Sequence, residues 1–371
     1  MKIRILFAVA FTALFFWSCD EPIAYDNPTF SYNPFSFHED TLYAVQSIQS
    51  GSSDLNWGSH FRAWVGETQY YKAGFVMEFV FADTGLDITG VDSIQVQLKH
   101  QKTYPELGGD TLGSSMSTYG LYETMNQPID IENSVYGNPL GIDSVDISGD
   151  DNFWNFTIPA DLISQGDTII SLGVFPEGSD YLSAVYGGGS VSRPSLNFLY
   201  HEADTAGLDS VTSVSFLADT VFMHLTENNT AFDRSQFDYV SQLKSDSVEF
   251  SVDIESFTVA GDTLQHIISS SFLPEIDEAF SALYKPDTTF LFSMVLTDPV
   301  SEISVELSLG DGEYISNEIK NIIQSAIDEQ RTELDLILKP LVPGYNPGFI
   351  AISKDITQTA LSLSSSRAVQ P

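Results

Sequence analysis

The fold is decided by a stretch of strict alternation, Asp246-Ser247-Val248-Glu249-Phe250-Ser251-Val252-Asp253-Ile254. Successive side chains of a β-strand point to opposite faces of its sheet, so apolar residues at every second position predict a strand with one buried face. The same period of two recurs at residues 94–98, 154–158, 290–296, 303–309 and 334–338. The body of the chain is therefore predicted to be β-sheet.

Helical spacing is confined to residues 317–329, where Ile319, Ile322, Ile323, Ala326 and Ile327 form one apolar stripe. Turn-forming Gly, Asp, Ser and Pro separate the strand segments. Many short strands with regular turns and little helix are typical of sandwiches and jelly rolls. We predict an all-β chain of two consecutive antiparallel, jelly-roll-like β-sandwiches, with one short helix in the second.

The composition excludes several classes of partner. The chain has 371 residues, and 15 basic against 51 acidic residues give a formal net charge of −36. Nucleic acid is excluded, because its phosphates require Lys and Arg. Electrostatic attachment to anionic lipid is disfavoured for the same reason. A hydrophobic content of 43% is enough for real cores, and a single Cys excludes a disulfide framework.

The N-terminus has the features of a secretion signal. Lys2 and Arg4 precede an apolar run over residues 5–17, which is too short to span a bilayer. Ser18 and then Cys19, the only Cys, follow this run. This order resembles a bacterial lipoprotein signal of the Bacteroidota kind, although residues 16–17 depart from the usual pattern. The resemblance implies cleavage after residue 18 and acylation of Cys19; the alternative is an ordinary secretory peptide.

Lipidation would place the protein at the outer membrane or cell surface, held by its acyl chains. Cleavage removes two basic residues and no acid, so the mature chain would carry −38. Residues 19–37 contain Pro22, Pro28 and Pro34 beside acidic and polar residues. This composition predicts an extended acidic tether.

The first half carries a sequence of short motifs. They are Asn56-Trp57-Gly58, Val65-Gly66, the strand at 94–98, and Ser192-Arg193-Pro194-Ser195-Leu196-Asn197-Phe198-Leu199-Tyr200. This order resembles the DNRLRE (disaggregatase-related) β-sandwich modules over residues 38–202. The resemblance implies a secreted, non-catalytic module that recognises polysaccharide.

The second half, residues 203–371, repeats parts of this order. Residues 246–252 echo residues 92–98, and each is followed by Gly-Asp-Thr-Leu, at 109–112 and 261–264. Residues 364–367 echo the start of the closing motif, but the strand that should follow Arg367 is missing. The half is either a divergent second sandwich or no true repeat. The boundary is placed in the acidic, turn-rich segment 202–209.

No catalytic motif is present in the sequence. There is no Gly-x-Ser-x-Gly, no His-Glu-x-x-His and no phosphate-binding glycine loop, and the six His residues lack metal-ligand spacing. With 51 acids, paired carboxylates arise by chance. We therefore expect no enzymatic activity and no cofactor.

Aromatic residues near turns are the candidates for ligand stacking on sugar faces. Each has the alternative of packing in a core, and Tyr70-Tyr71 is the preferred pair because adjacent strand residues face opposite sides. The candidates are Trp57, Trp64, Tyr70, Tyr71, Tyr119 and Tyr122.

Two oxygen-rich turns are weak candidates for structural Ca²⁺, at Asp150 and Asp151 and at Asp311 and Glu313. Neither has complete ligand spacing, and Asp also simply favours turns. The leading hypothesis is a surface-anchored, non-catalytic binding or adhesion lipoprotein for polysaccharide. The alternatives are a structural surface component without a small ligand and an uncharacterised glycan hydrolase.

Overall fold

The computed structural model describes most of the chain from residue 35 onwards. The described ranges are 35–52, 57–81, 86–104, 116–124, 129–148, 152–164, 166–203, 209–255, 265–282, 294–310, 313–316, 318–344 and 347–368. The predicted signal peptide 1–18 and Cys19 lie outside these ranges, as does most of the predicted tether. The tether prediction overlaps the structure only at residues 35–37, which already belong to the first strand.

The all-β prediction is confirmed, because β-strands dominate the described residues and all ladders are antiparallel. The strands of the first half are β1 (Phe35–Ser52), β2 (Arg62–Glu67), β3 (Tyr71–Val80), β4 (Ser93–Tyr104), β5 (Met116–Glu123), β6 (Pro139–Asp146), β7 (Phe153–Ile158), β8 (Ile169–Gly178), β9 (Leu182–Tyr186) and β10 (Ser195–Ala203). Single 3-10 turns lie at Trp57–Ser59 and Ala160–Leu162.

The remaining strands follow residue 208. They are β11 (Asp209–Leu217), β12 (Thr220–Glu227), β13 (Phe237–Ser241), β14 (Asp246–Asp253), β15 (Gln265–Leu273), β16 (Ile276–Ala282), β17 (Met294–Thr297), β18 (Ser304–Gly310), β19 (Glu313–Ile315), β20 (Glu333–Pro340), β21 (Phe349–Ser353) and β22 (Ala360–Ala368). The helix α1 (Ile319–Asp328) is the predicted one, and its apolar stripe is buried.

The strands form two sheets of eleven. The first sheet has the order β11-β10-β4-β9-β2-β3-β8-β5-β6, with β12 beside β3 and β7 beside β4. It curls around a core that contains Phe75, Trp154, Phe156 and Phe198. The alternating burial of β7, in which every second residue is buried, is the pattern that the sequence predicted.

The second sheet has the order β15-β22-β1-β14-β20-β17-β18-β19, with β13 beside β14 and β21, and β16 beside β21. It curls until β15 and β19 are neighbours, and α1 packs against β15. Val248, Phe250 and Val252 of β14 face the same core as the apolar stripe of α1. The short helix therefore closes the open side of this sheet.

Strand pairing crosses the predicted boundary at residues 202–209 in both directions. β1 comes from the N-terminal end, yet it lies between β14 and β22 of the second sheet. β11 and β12 come after the boundary, yet they pair with β10 and β3 of the first sheet. A local pattern cannot show this, since any strand with one apolar face is compatible with either core.

The two echoing segments occupy comparable places. β4 lies between β10 and β7, and β14 lies between β1 and β20. The four-strand orders β11-β10-β4-β7 and β22-β1-β14-β20 therefore correspond. In the second sheet, the position that β10 fills in the first is filled by β1.

A third apolar cluster joins the two sheets. We call this cluster the junction; it is aromatic-rich and draws on both sheets and on the segment between β12 and β13. Its buried members are Trp64, Tyr71, Ala73, Tyr104, Leu182, Ala184, Phe232, Phe237, Tyr239, Leu243, Phe349 and Ala351. In the part of the chain that the structure describes, no helix is long and apolar enough to cross a membrane.

Candidate functional site: a polar cleft beside the junction

The cleft lies on the first sheet and has a volume of about 480 Å³. Three segments form it: the turn between β2 and β3, the loop that precedes β6, and the end of β8 with the residues after it. Its lining is mostly polar and consists of Glu67, Thr68, Gln69, Lys72, Ser134, Tyr136, Pro176, Glu177, Gly178, Ser179 and Asp180. Ligand sites commonly have volumes of about 300–1,000 Å³.

The turn between β2 and β3 requires glycine at position 66. Gly66 has a φ of +133°, a region that side chains disfavour. A Cβ added there would lie 1.8 Å from the carbonyl oxygen of Tyr181. This close approach sets the turn against the residues that follow β8. It thereby brings Glu67 and Gln69 to one wall of the cleft.

Lys72 is the cation of the cleft. Its Nζ lies 3.2 Å from Glu67 Oε2 and donates a hydrogen bond to Ser134 Oγ. The same ammonium lies 5.8 Å from the centre of the Tyr136 ring. Since its side chain is only 13% exposed, Lys72 is held in one place rather than free in solvent.

Tyr136 lines the cleft and stacks on the buried ring of Phe175. The ring of Tyr136 lies parallel to that of Phe175, with 4.5 Å between the centroids, and Tyr122 packs edge-on against it. The Tyr136 hydroxyl is buried, and its polar neighbours are Ser134 and Lys72. Burial raises the pKa of Tyr136, while the nearby charge of Lys72 opposes that increase.

Carboxylates line the rest of the cleft. Glu177 accepts a hydrogen bond from the buried Tyr122 hydroxyl, which orients its carboxylate. Glu67 and Asp180 lie at the same opening. Among the lining residues that the structure describes, three carboxylates stand against one ammonium, which leaves the cleft negative. Its hydrogen-bonding groups suit hydroxyls, and its charge disfavours anionic ligands.

The structure corrects the stacking prediction for four of the six aromatic candidates. Trp64, Tyr71, Tyr119 and Tyr122 are at most 3% exposed, so none presents a free ring face to a ligand. Trp64 and Tyr71 belong to the junction, and Tyr119 belongs to the core of the first sheet. Tyr122 packs in a small cluster with Tyr136 and Phe175. These rings are buried because the core and the second sheet cover both sides of their strands.

The polar ends of these rings explain why burial is tolerated. Trp64 Nε1 donates to the Gly344 carbonyl at 3.1 Å, and the Tyr71 hydroxyl lies 3.0 Å from Ser241 Oγ. The Tyr119 hydroxyl lies 3.0 Å from Ser183 Oγ. Each polar group therefore has a partner inside the protein, as buried Trp and Tyr require.

Of the two remaining aromatic candidates, the structure describes the side chain of Tyr70 but not that of Trp57. Tyr70 is half-buried, and its ring contacts Phe232 and Phe349 at the edge of the junction. The expected outward-facing member of the Tyr70-Tyr71 pair is thus covered by residues of the second half. The side chain of Trp57 lies outside the described residues.

The calcium candidates fall mostly outside the described residues. Asp150, Asp151 and Asp311 are not described, nor is the side chain of Glu313. Within the described ranges, no group of three or more His, Cys, Asp or Glu side chains is placed to hold a metal ion.

Sequence reasoning missed the residues of the cleft. Lys72, Ser134, Tyr136 and Glu177 come from distant segments, and none belongs to a motif. The one available signal was position, since Glu67, Gln69 and Lys72 flank the Tyr70-Tyr71 pair that the sequence singled out. In a hairpin, the residues around such a pair alternate between the two faces.

Comparisons with known proteins do not identify a family. No protein-family profile matches the chain, and no curated protein matches it. Among solved structures, one alignment is to the 2.6 Å structure of infectious bursal virus derived T=1 particles. It covers 90% of this chain and 75% of the other at 9% identity, with a TM-score of 0.13. A score that low carries no argument about fold or function.

Proposed function

We propose that the protein is a surface-anchored, non-catalytic binding lipoprotein whose ligand is a neutral, hydroxyl-rich saccharide bound in the polar cleft. The observation that carries the proposal is the cleft itself. It combines a held ammonium, Lys72, and an oriented carboxylate, Glu177, with further polar groups on one lining. Carboxylate and amide groups such as those of Glu67, Gln69 and Glu177 suit the hydroxyls of a sugar.

The charge of the cleft supports the neutral ligand class. Lys72 is already paired with Glu67, so its ammonium is partly neutralised before any ligand binds. Glu177 and Asp180 would repel a uronate or a sulfate ester. The strong overall acidity acts in the same direction. Attachment to the outer membrane is assigned to acylated Cys19, which supplies an affinity that the acidic surface does not.

The experiment is affinity electrophoresis of the Cys19→Ala chain through gels that contain a panel of neutral polysaccharides. We expect at least one neutral glycan to retard the protein. The Glu67→Gln/Glu177→Gln double variant should lose this retardation, because an amide offers one acceptor oxygen where a carboxylate offers two, and its hydrogen bonds lack the assistance of charge. Asp161→Asn, an exposed acid in the 3-10 turn after β7 and not part of the cleft lining, is the matched control and should be retarded like the parent.

Three outcomes decide between the hypotheses. Retardation that the double variant abolishes and the control retains supports the cleft. Absence of retardation across the panel, or retardation that the double variant leaves intact, overturns the proposal and favours a structural surface component. Shortened saccharide products after incubation would overturn the non-catalytic assignment. Circular dichroism of each variant verifies that it is folded.

A further inference from the structure

We infer that Glu227 and Asp246 form a proton-sharing clasp between the two sheets, which tightens the junction on acidification. Glu227 is the last residue of β12 in the first sheet, where it lies opposite Tyr71 of β3. Asp246 is the first residue of β14 in the second sheet, where it lies opposite Ser241 of β13. The two carboxylates therefore belong to different sheets but meet at one place.

Both carboxylates are buried at the edge of the aromatic junction. The Glu227 side chain is 5% exposed and that of Asp246 is 11% exposed. Beside them, the Tyr71 hydroxyl and Ser241 Oγ form a second polar contact across the junction at 3.0 Å. Burial of two neighbouring negative charges is unfavourable, since each charge raises the cost of the other.

The neighbouring cations compensate only part of this charge. Arg234 lies 2.7 Å and Lys244 3.3 Å from the same oxygen, Glu227 Oε2. Arg234 is 3.9 Å from Asp246 Oδ2, beyond hydrogen-bonding distance. Glu227 Oε1 and Asp246 Oδ2 therefore remain buried without a hydrogen-bond partner. One proton on Asp246 would turn an unpaired acceptor into a donor toward Glu227.

Arg234 packs against the aromatic rings of the junction and pairs with Glu227 rather than with Asp246. Its guanidinium lies 5.6 Å from the ring centres of both Phe232 and Tyr239. The groups that act on Asp246 are thus Glu227 from β12, Arg234 from the segment after it, and Lys244 from the turn between β13 and β14. Tyr71 of β3 is held neutral, because burial raises its pKa well above the usual value.

The direction of the pH effect follows from Asp246. Burial, and then the charge of Glu227, raise the pKa of Asp246 from 3.8 to about 6. A carboxyl whose pKa is raised by folding contributes stability below pH 3.8, and this contribution is lost as the pH rises through about 6. At neutral pH, Asp246 is ionised and the two carboxylates repel. Acidification protonates Asp246 and joins the two sheets.

The test is urea unfolding of the full chain at about pH 5 and about pH 7.5. Folding raises the pKa of Asp246 from 3.8 to about 6. The titration of Asp246 alone should therefore make the unfolding equilibrium constant about tenfold smaller at the lower pH than at the higher pH. Asp246→Asn should lose this tenfold component while remaining at least as stable as the parent at the higher pH. Glu249→Gln, an exposed acid on the same strand, is the matched control and should keep the parental pH dependence.

Hydrogen exchange provides a local readout. Amides of β12 and β3 next to the junction should exchange more slowly at the lower pH, after correction for intrinsic rates, in the parent but not in Asp246→Asn. The inference is overturned if Asp246→Asn keeps the parental pH dependence. It is also overturned if Asp246→Asn is less stable than the parent at the higher pH. Glu227→Gln, which removes the repelling charge, should move the transition to lower pH; an unchanged transition contradicts the clasp.

Discussion

The ion pair between Arg331 and Asp298 is expected to be the most sensitive polar contact of the second sheet. Asp298 follows β17 directly and is fully buried. Its carboxylate accepts from Arg331 NH1 at 2.6 Å, from Ser301 Oγ at 2.6 Å and from the backbone N–H of Val300 at 3.1 Å. The contact ties the turn between β17 and β18 to the end of α1.

The perturbation is Arg331→Met, which keeps an apolar stem but removes the cation. Asp298 would then remain as a buried charge without its ionic partner, a change that destabilises by about 3–5 kcal/mol. For a unit of this size, one kcal/mol corresponds to about 2–4 °C in Tm. The expected decrease in Tm is therefore about 6–20 °C. Lys339→Met removes an exposed cation from β20 and should change stability by less than about 0.5 kcal/mol.

The pH dependence gives an independent measure of the same contact. Burial works to raise the pKa of Asp298, but the hydrogen bonds from Arg331 and Ser301 outweigh it, and the net pKa is lowered. The stabilisation is therefore present above pH 3.8 and is lost as the pH falls through the lowered pKa of the folded chain. The pH dependence is thus opposite to that of Asp246, whose contribution to stability is lost as the pH rises. In Arg331→Met, the destabilisation should become smaller as the pH falls, because Asp298 can then be protonated.

The assay is thermal and urea unfolding of Arg331→Met, Asp298→Asn and the double variant, analysed as a double-mutant cycle. The double variant should be less destabilised than the sum of the single variants, since it removes both charges. A loss below about 1 kcal/mol in Arg331→Met, or a double variant that equals the sum, would refute the reasoning.

Two further predictions concern the N-terminal part of the chain. Cys19→Ala should move the protein from the membrane to the soluble fraction, measured by fractionation and by loss of acyl-chain labelling; unchanged membrane retention contradicts the anchor. Removal of residues 1–52 should unfold the second sheet, since β1 pairs with both β14 and β22, whereas removal of residues 1–34 should not. Addition of a peptide with the sequence of residues 35–52 should restore the sheet in part, and circular dichroism and urea unfolding would show whether it does.

Much of the local structure was predictable from the sequence. The alternation at 248–254, 154–158 and 334–338 corresponds to β14, β7 and β20, and the apolar stripe at 319–327 corresponds to α1. These predictions succeed because period two and period 3.6 follow directly from backbone geometry. The burial of Trp154 beside Phe156 and Ile158 also followed from alternation alone.

The candidate site was not predictable from the sequence in the same way. Tyr70 and Tyr71 were expected to face opposite sides of a strand, but Tyr70 precedes β3, and both rings contact Phe232 and Phe349 of the second half. The cleft next to them depends on Ser134 and Glu177, which are brought together by the loop before β6 and the end of β8. No local sequence pattern predicts that these two segments lie together, because their positions depend on pairing between distant strands.

The sequence by itself determined the fold class, several of the strands, among them β7, β14 and β20, and the short helix. It also predicts a lipidated N-terminus and a strongly acidic surface. Only the tertiary structure decided which sheet each strand joins. β1 completes the second sheet in the position that β10 holds in the first, while β11 and β12 return to the first sheet. The physical reason is that alternation specifies a buried face but not the partner strand, and the partner is selected by the packing of complete cores.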